Sequence, residues 1–248
     1  MNDELTPLLE LESVSFFAQG KLVVDSISCI IPSGKTTAIV GPSGGGKSTI
    51  LKLAAGLIVP SSGRVLHKGN DISLMNREKN LEFRKEASFV FQDSALWSNQ
   101  SLQQILELPL KIHFPNISET KRKERIQEVL SQVGYRKSIS IRPSNLSMGE
   151  QKLIAFARAI LCNPSMLFLD EWTESLDDTA ARRLVTLVKK KQDAGNTIVF
   201  VSHNFQIIKE LSHMIMLIEE GHLTLNATAE EFEKDSNLAR TIEKGIAQ

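Results

Sequence analysis

Gly41-Pro42-Ser43-Gly44-Gly45-Gly46-Lys47-Ser48 fills every specified position of the pattern G-x-x-x-x-G-K-[ST]. A triphosphate must be wrapped by several backbone N–H groups at once, and a Cβ at each position would hold the backbone off, so the glycines open the space. Lys47 supplies the amine that reaches the β- and γ-phosphates, and the Ser48 hydroxyl is placed to ligate Mg²⁺. A helix starting there points its positive end at the phosphates. The flanks agree. Thr36-Thr37-Ala38-Ile39-Val40 reads as a short buried strand, and Ile50, Leu51, Leu53, Ala54 and Leu57 recur at helical spacing. Strand, glycine loop and helix in that order separate a nucleoside-triphosphate site from a flexible turn with a chance lysine.

Working outward, 248 residues suit one large α/β domain or a domain carrying a smaller inserted lobe, and the pattern of elements favours the second. The 29 basic and 29 acidic residues cancel, which argues against a nucleic-acid partner. The densest basic run, Lys121-Arg122-Lys123, lies between Glu119 and Glu124 and reads as a solvated helix face. Cys29 and Cys162 are far apart, without CxxC spacing, in apolar settings, and are expected to be buried free thiols of a reducing compartment. The start, Met1-Asn2-Asp3-Glu4, is acidic, and no apolar run approaches the length of a membrane span. The expected location is cytoplasmic, with docking on a membrane protein still open.

Leu8 to Phe17 alternates apolar with polar, and Ile27 to Ile31 reads as a second strand, together an antiparallel cover with a turn at Gly20-Lys21. Pro32-Ser33-Gly34-Lys35 is a turn into the phosphate-loop strand. Residues 93 to 150 read as mostly helical. Leu102, Ile105 and Leu106 share one face, Ile126, Val129, Leu130 and Val133 make another, Ser118 caps that second helix and Gly134 stops it. The α/β pattern resumes with Met166 to Leu169, a helix through Leu184, Leu187 and Val188, and Thr197 to Val201, which implies a parallel sheet. Met214–Ile218 and Leu223–Leu225, joined at Glu220-Gly221, suggest a closing hairpin, and the charged tail after Thr228 reads as short surface helices. The expected organisation is a core in two parts, 1–92 and 153–248, with a helical lobe over 93–152.

Five further elements could surround the phosphates. Gln92 stands where an aromatic, β-branched strand ends. Ser147-Met148-Gly149-Glu150 precedes an apolar helix; Ser147 with Glu150 makes a capping box, which leaves Gly149 unexplained, and a helix start with Ser and Gly is also an anion site. Leu167-Phe168-Leu169 ends in Asp170-Glu171, whose side chains alternate along the strand and so can hold different jobs: Asp170 in the Mg²⁺ shell, Glu171 on the attacking water. Ser175-Leu176-Asp177 lies just beyond, and His203 ends another apolar strand, where it is placed to bond a γ-phosphate. Each alone has a bland alternative, a surface glutamine, a helix cap or a structural histidine.

Together and in this order they resemble the ATP-binding subunit of an ABC transporter, from about Leu8 to Phe232. In that likeness Gly41 to Ser48, with Thr49 beside it, matches Walker A, Gln92 the Q-loop, Leu146 to Glu150 the signature, Met166 to Glu171 Walker B, Ser175 to Asp177 the D-loop and His203 the switch histidine. The resemblance implies a P-loop NTPase (RecA-like) α/β core with a mostly parallel sheet, an antiparallel β cover and an inserted α-helical lobe. It also implies an ATPase using ATP and Mg²⁺, the metal held by Ser48, Gln92 and Asp170, with Glu171, His203 and Gln92 catalytic. The expected assembly is a head-to-tail dimer, with identical chains expected, in which Ser147, Met148, Gly149 and Glu150 of one chain meet the ATP held by the other, working with separate transmembrane permease subunits at the cytoplasmic face of the inner membrane. The family stacks adenine on an aromatic shortly before the second strand; ungapped matching puts Ala18 there with Phe16 and Phe17 beside it, and Phe17 is the residue taken for the role.

This chain departs from the family's pattern at Met148, which replaces the first signature glycine, at Leu153, where arginine is common, at Trp172, which replaces a proline, and at Glu174-Ser175 before Leu-Asp. These changes are expected to slow turnover. Arg84-Lys85, Phe89 to Gln92, Ser94 to Trp97, Leu108 to Leu110 and the ending Ala229 to Ser236 are similar to lipid-trafficking systems of the Mla or Mce type, which implies phospholipid transport and a lipid-binding companion protein. The lipoprotein-releasing type shares some of these loops. Other readings stay open: a soluble ABC ATPase acting as an assembly factor, as for iron–sulfur scaffolds, or a binding module that nucleotide only gates.

Overall fold

Thr36–Val40 are buried at every position, as are Met166–Asp170 and Thr197–Val201, which is how strands covered on both faces read. The computed structural model of the chain describes residues 6–234. Its elements in chain order are β1 (Pro7–Ala18), β2 (Lys21–Pro32), β3 (Thr36–Val40), α1 (Lys47–Ala54), β4 (Ser62–His67), β5 (Asn70–Asp71), α2 (Arg77–Glu86), β6 (Ala87–Val90), α3 (Leu102–His113), α4 (Glu119–Val133), α5 (Met148–Ile160), β7 (Met166–Asp170), α6 (Asp178–Asp193), β8 (Thr197–Val201), α7 (Phe205–Leu211), β9 (Met214–Glu219), β10 (His222–Thr228) and α8 (Ala229–Lys234). They form two compact units, residues 6–80 with 195–234, and residues 81–194.

In the first unit β3 lies between β8 and β9 and runs parallel to both, while β10 returns antiparallel to β9. A second sheet, in the order β2-β1-β4-β5, is antiparallel throughout. Leu9, Val14, Val24, Leu51 and Leu53 are fully buried in this unit's core. The hairpin turns follow their residues. Glu220-Gly221 and Lys68-Gly69 both have two successive positive φ angles, the primed turn that matches strand twist. The β1–β2 turn is Gln19-Gly20, one residue earlier than the sequence suggests, because Gln19 as well as Gly20 takes positive φ. Strands β4 and β5 and helix α2 are additions to the sequence reading. Leu57 lies beyond the end of α1 and is exposed.

In the second unit β6 pairs parallel with β7. Helix α5 packs against α3, α4 and β6, and α4 also touches α6. The expected stripe Ile126, Val129, Leu130 and Val133 is buried; Ser118 caps α4 and Gly134, at φ 81°, ends it. The expected surface helices after Thr228 begin with α8, and the rest of that tail lies outside the described residues, as does the acidic start. Both cysteines are free and half-buried. Among the described residues no helix is long and apolar enough to cross a membrane.

Candidate functional site

The phosphate loop follows β3, and the space around it explains its composition. A Cβ on Gly41 would lie 2.0 Å from the carbonyl oxygen of Ile218, one on Gly46 would lie 2.8 Å from that of Val23, and one on Gly45 would lie 3.1 Å from those of Ile218 and Pro42. Side chains there would displace backbone. The loop is braced from outside by the β9–β10 turn, where Gly221 N–H donates to Gly45 O at 3.1 Å and Asp25 N–H to Gly221 O at 2.9 Å. Gly46 caps α1 without a side-chain hydrogen bond, so the first N–H groups of that helix carry no side-chain cap. Lys47 is buried and its Nζ donates to Gly41 O at 2.8 Å and Pro42 O at 2.7 Å, folding the amine across its own loop. Ser48 and Thr49, in the first turn of α1, are half-buried.

Strands β3 and β8 are parallel with Ile39 opposite Val201, so Gly41 and His203 leave the sheet at the same edge. His203 is exposed, between buried Ser202 and Asn204, which caps α7. Phe17 is 56% exposed on the β1–β2 hairpin, opposite Leu22 and one residue along β2 from the Val23 carbonyl that meets Gly46.

In the second unit Val90 pairs with Leu169, so Gln92 and Asp170 likewise leave at one edge. Asp170 is the buried last residue of β7, and Glu171, also buried, is held at φ 41°. A non-glycine residue in that region costs on the order of 1–3 kcal/mol, strain that accumulates where function fixes geometry. Gln92 Nε2 donates to Glu174 Oε2 at 3.1 Å. Asp177 caps α6, accepting from Ala180 N–H at 2.8 Å. Ser147 and Glu150 form the expected capping box at the start of α5, and Glu150 also pairs with Lys137 at 2.6 Å. That lysine, then the Ser147 backbone, hold the Glu150 carboxyl below its ordinary pKa. Met148 is 71% exposed on the first turn, while Gly149 faces the Ser175 carbonyl.

Sequence reasoning passes over Lys152 and Arg158 on α5. Lys152 is buried, and its Nζ donates to Phe91 O at 3.4 Å and Gln92 O at 2.5 Å. Burial lowers its pKa, and the fields of Glu174, Asp170, Asp93 and Glu171 oppose that. Arg158 donates to Ala95 O at 2.7 Å and Ser94 O at 3.2 Å and lies over the Trp97 ring at 5.8 Å. The signal available was a lone lysine inside an apolar helix. Trp172, where the resemblance expects proline, is wholly buried with its ring 5.9 Å from that of Phe156. Among the described residues no cluster of three or more His, Cys, Asp or Glu is placed to hold a metal ion.

The family model described as ABC transporter matches residues 24–174. The nickel import ATP-binding protein NikE of Brucella suis biovar 1 is 34% identical over 225 residues, covering 89% of this chain and 84% of that protein. The methionine import ATP-binding protein MetN of Clostridium acetobutylicum is 32% identical over 215 residues, 86% of this chain and 67% of that protein. Among solved structures, the dimeric post-hydrolysis state of the ATP-binding cassette MJ0796 bound to ADP and Pi superposes with TM-score 0.82 at 26% identity, over 89% of this chain and 98% of that one. A phosphate loop that excludes Cβ atoms, a core of parallel strands with a helical lobe, and these likenesses lead to one assignment: the chain belongs to the ABC transporter family, as an ATP-binding subunit with the family's ATPase activity.

Proposed function

We propose that this chain hydrolyses MgATP to drive a transporter whose membrane-spanning subunits are separate polypeptides, docking peripherally on them as one half of an ATPase dimer. What supports the reading is the phosphate loop, where Cβ atoms at Gly41 and Gly46 would strike backbone oxygens, in a chain of this family. Lys47 leaves Gly41 O and Pro42 O to bind the β- and γ-phosphates, Gly41 to Thr49 wrap them, and Phe17 stacks on adenine. The oxygen donors Ser48, Gln92 and Asp170 fit Mg²⁺, a hard cation that takes few protein ligands and keeps phosphate oxygens and waters. When bound, the metal neutralises charge on the β- and γ-phosphates. Glu171 polarises the attacking water, His203 bonds the γ-phosphate, and Ser147, Met148, Gly149 and Glu150 face the ATP of the second subunit, with Asp177 beside them.

The names of NikE and MetN favour uptake of a small solute as the transported class. A second reading, phospholipid transport with a lipid-binding companion, is supported by the loops around Arg84-Lys85 and Ser94 to Trp97 that are similar to the Mla or Mce type. Affinity isolation from detergent-solubilised cells separates these. A permease with a solute-binding protein supports the first and one with a lipid-binding protein the second, while soluble partners alone support an assembly factor. For the chemistry, Glu171→Gln is expected to bind ATP, accumulate as an ATP-bound dimer on size exclusion and lose at least about a hundredfold in turnover. Unchanged turnover would remove Glu171 from its role.

A further inference from the structure

We propose that Lys152 is a positioning residue: it pins the backbone of Gln92 to the helix that carries Ser147 and Gly149, so that Gln92 and the start of α5 move as one body. For Gln92 as a catalytic group this rests on the ATPase reading above.

The observation is a strap. Four backbone carbonyls in the five residues Phe91 to Ala95 accept hydrogen bonds from two cations on one helix, Phe91 and Gln92 from Lys152, Ser94 and Ala95 from Arg158. This segment needs holding, because Ser94 and Ala95 both sit at positive φ, 64° and 43°, where a side chain is strained. Lys152 is 2% exposed, and a buried ammonium persists only where carbonyls and carboxylates replace its water. Glu174, Asp170, Asp93 and Glu171 provide that field. Lys152 thus stands five residues after Ser147 on the same helix and bonds the very residue whose side chain reaches Glu174. The backbone of Gln92 is fixed while its side chain can rotate from Glu174 towards another partner. A lysine chosen only to fill space would be replaceable by methionine, which has nearly the same length and no charge.

The test uses the full chain and two readouts. Backbone amide exchange over residues 89–96, without added nucleotide, is expected to speed up more than tenfold in Lys152→Met relative to amides in α4, and Lys152→Arg, which keeps the donors, restores slow exchange. In ATPase assays Lys152→Met is expected to lower kcat at least tenfold while the Kd for a fluorescent ATP analogue changes less than twofold. Exchange over 89–96 within twofold of wild type would overturn the proposal, as would an ATPase loss that comes wholly from weaker nucleotide binding. Should Lys152→Met fail to fold, Lys152→Gln, a neutral side chain that keeps one donor group, is measured instead and is expected to fall between wild type and full release. A wild-type chain without ATPase activity would defeat the catalytic reading and leave the exchange experiment to decide the strap.

Discussion

Gly149 faces Ser175 so closely that a Cβ on the glycine would lie 2.9 Å from the serine's carbonyl oxygen. Ser175 is itself at φ 66°, so its carbonyl is held by a strained turn. Alanine in place of glycine gains about 1 kcal/mol of helix propensity, whereas forcing an extra carbon against backbone costs about 1–3 kcal/mol. The steric term wins. Gly149→Ala is expected to lose about 1 kcal/mol of stability in urea denaturation, together with a tenfold or greater loss of ATPase. Met148 points into open solvent, so Met148→Gly is expected to shift stability by less than about 1 kcal/mol and to raise turnover. Equal and substantial rates with and without Met148 would show that it does not slow the enzyme.

Trp172 occupies the position after Glu171 and stacks on Phe156 with no exposed surface. Its indole N–H finds no acceptor among the described residues, so the ring serves by packing. Trp172→Ala is expected to cost about 3–5 kcal/mol, and Trp172→Phe less than about 1.5 kcal/mol, since it removes an unpaired donor along with some volume. Calorimetry on the two variants reads the difference directly. A small loss for alanine would mean that the site collapses around the missing ring.

The parts of this fold legible from sequence are those governed by neighbours in sequence. The phosphate-loop strand, the cap at Ser118, the stop at Gly134 and the box of Ser147 with Glu150 each depend on residues within one or two turns. Strand β4 hides because its start, Ser62-Gly63-Arg64, is polar, and its glycine is set by β1: a Cβ there would sit 2.3 Å from Ser13 O. Lys152 hides for the same reason at greater range, since its acceptors lie 61 and 60 residues upstream. Spacing predicts a helix around it, and says nothing of which carbonyls that helix will meet. Asp177 is legible as part of Ser175-Leu176-Asp177, but its bond to Ala180 N–H is an ordinary cap that the same residues would make in any helix.

Neither thiol is set up to react. Burial pushes the pKa of Cys29 up to about 12 and that of Cys162 up to about 11, against the opposing fields of Lys85 and Arg125 on the latter. At pH 8 the thiolate fraction is then on the order of 0.001 or less, and the thiolate is the nucleophile. The folded chain is expected to react with a disulfide reagent more than tenfold more slowly than a free thiol, and denaturant is expected to release both groups at once. Rapid labelling of the native chain at pH 8 would contradict the burial seen at these positions.

His213 ties the ends of two strands together and makes that tie sensitive to acid. Its Nδ1 accepts the Thr36 N–H at 3.0 Å while the backbone N–H of His213 donates to Thr36 O at 2.8 Å, just before β9 pairs with β3. A ring that accepts through Nδ1 and is protonated elsewhere is neutral, and burial, then Lys35, lowers its pKa from the ordinary value of 6.5. Below that value the unfolded chain binds a proton that the folded chain resists, so stability is complete above pH 6.5 and falls as pH drops through the folded pKa. His113, lowered by burial and then Lys85, adds a slope of the same sign. His213→Asn keeps an acceptor without a proton to gain. Its urea midpoint is expected to match wild type at pH 8 and to decline less steeply between pH 6.5 and 5, leaving the share that His113 supplies. Identical slopes in the two proteins would mean that His213 titrates alike in the folded and unfolded chain.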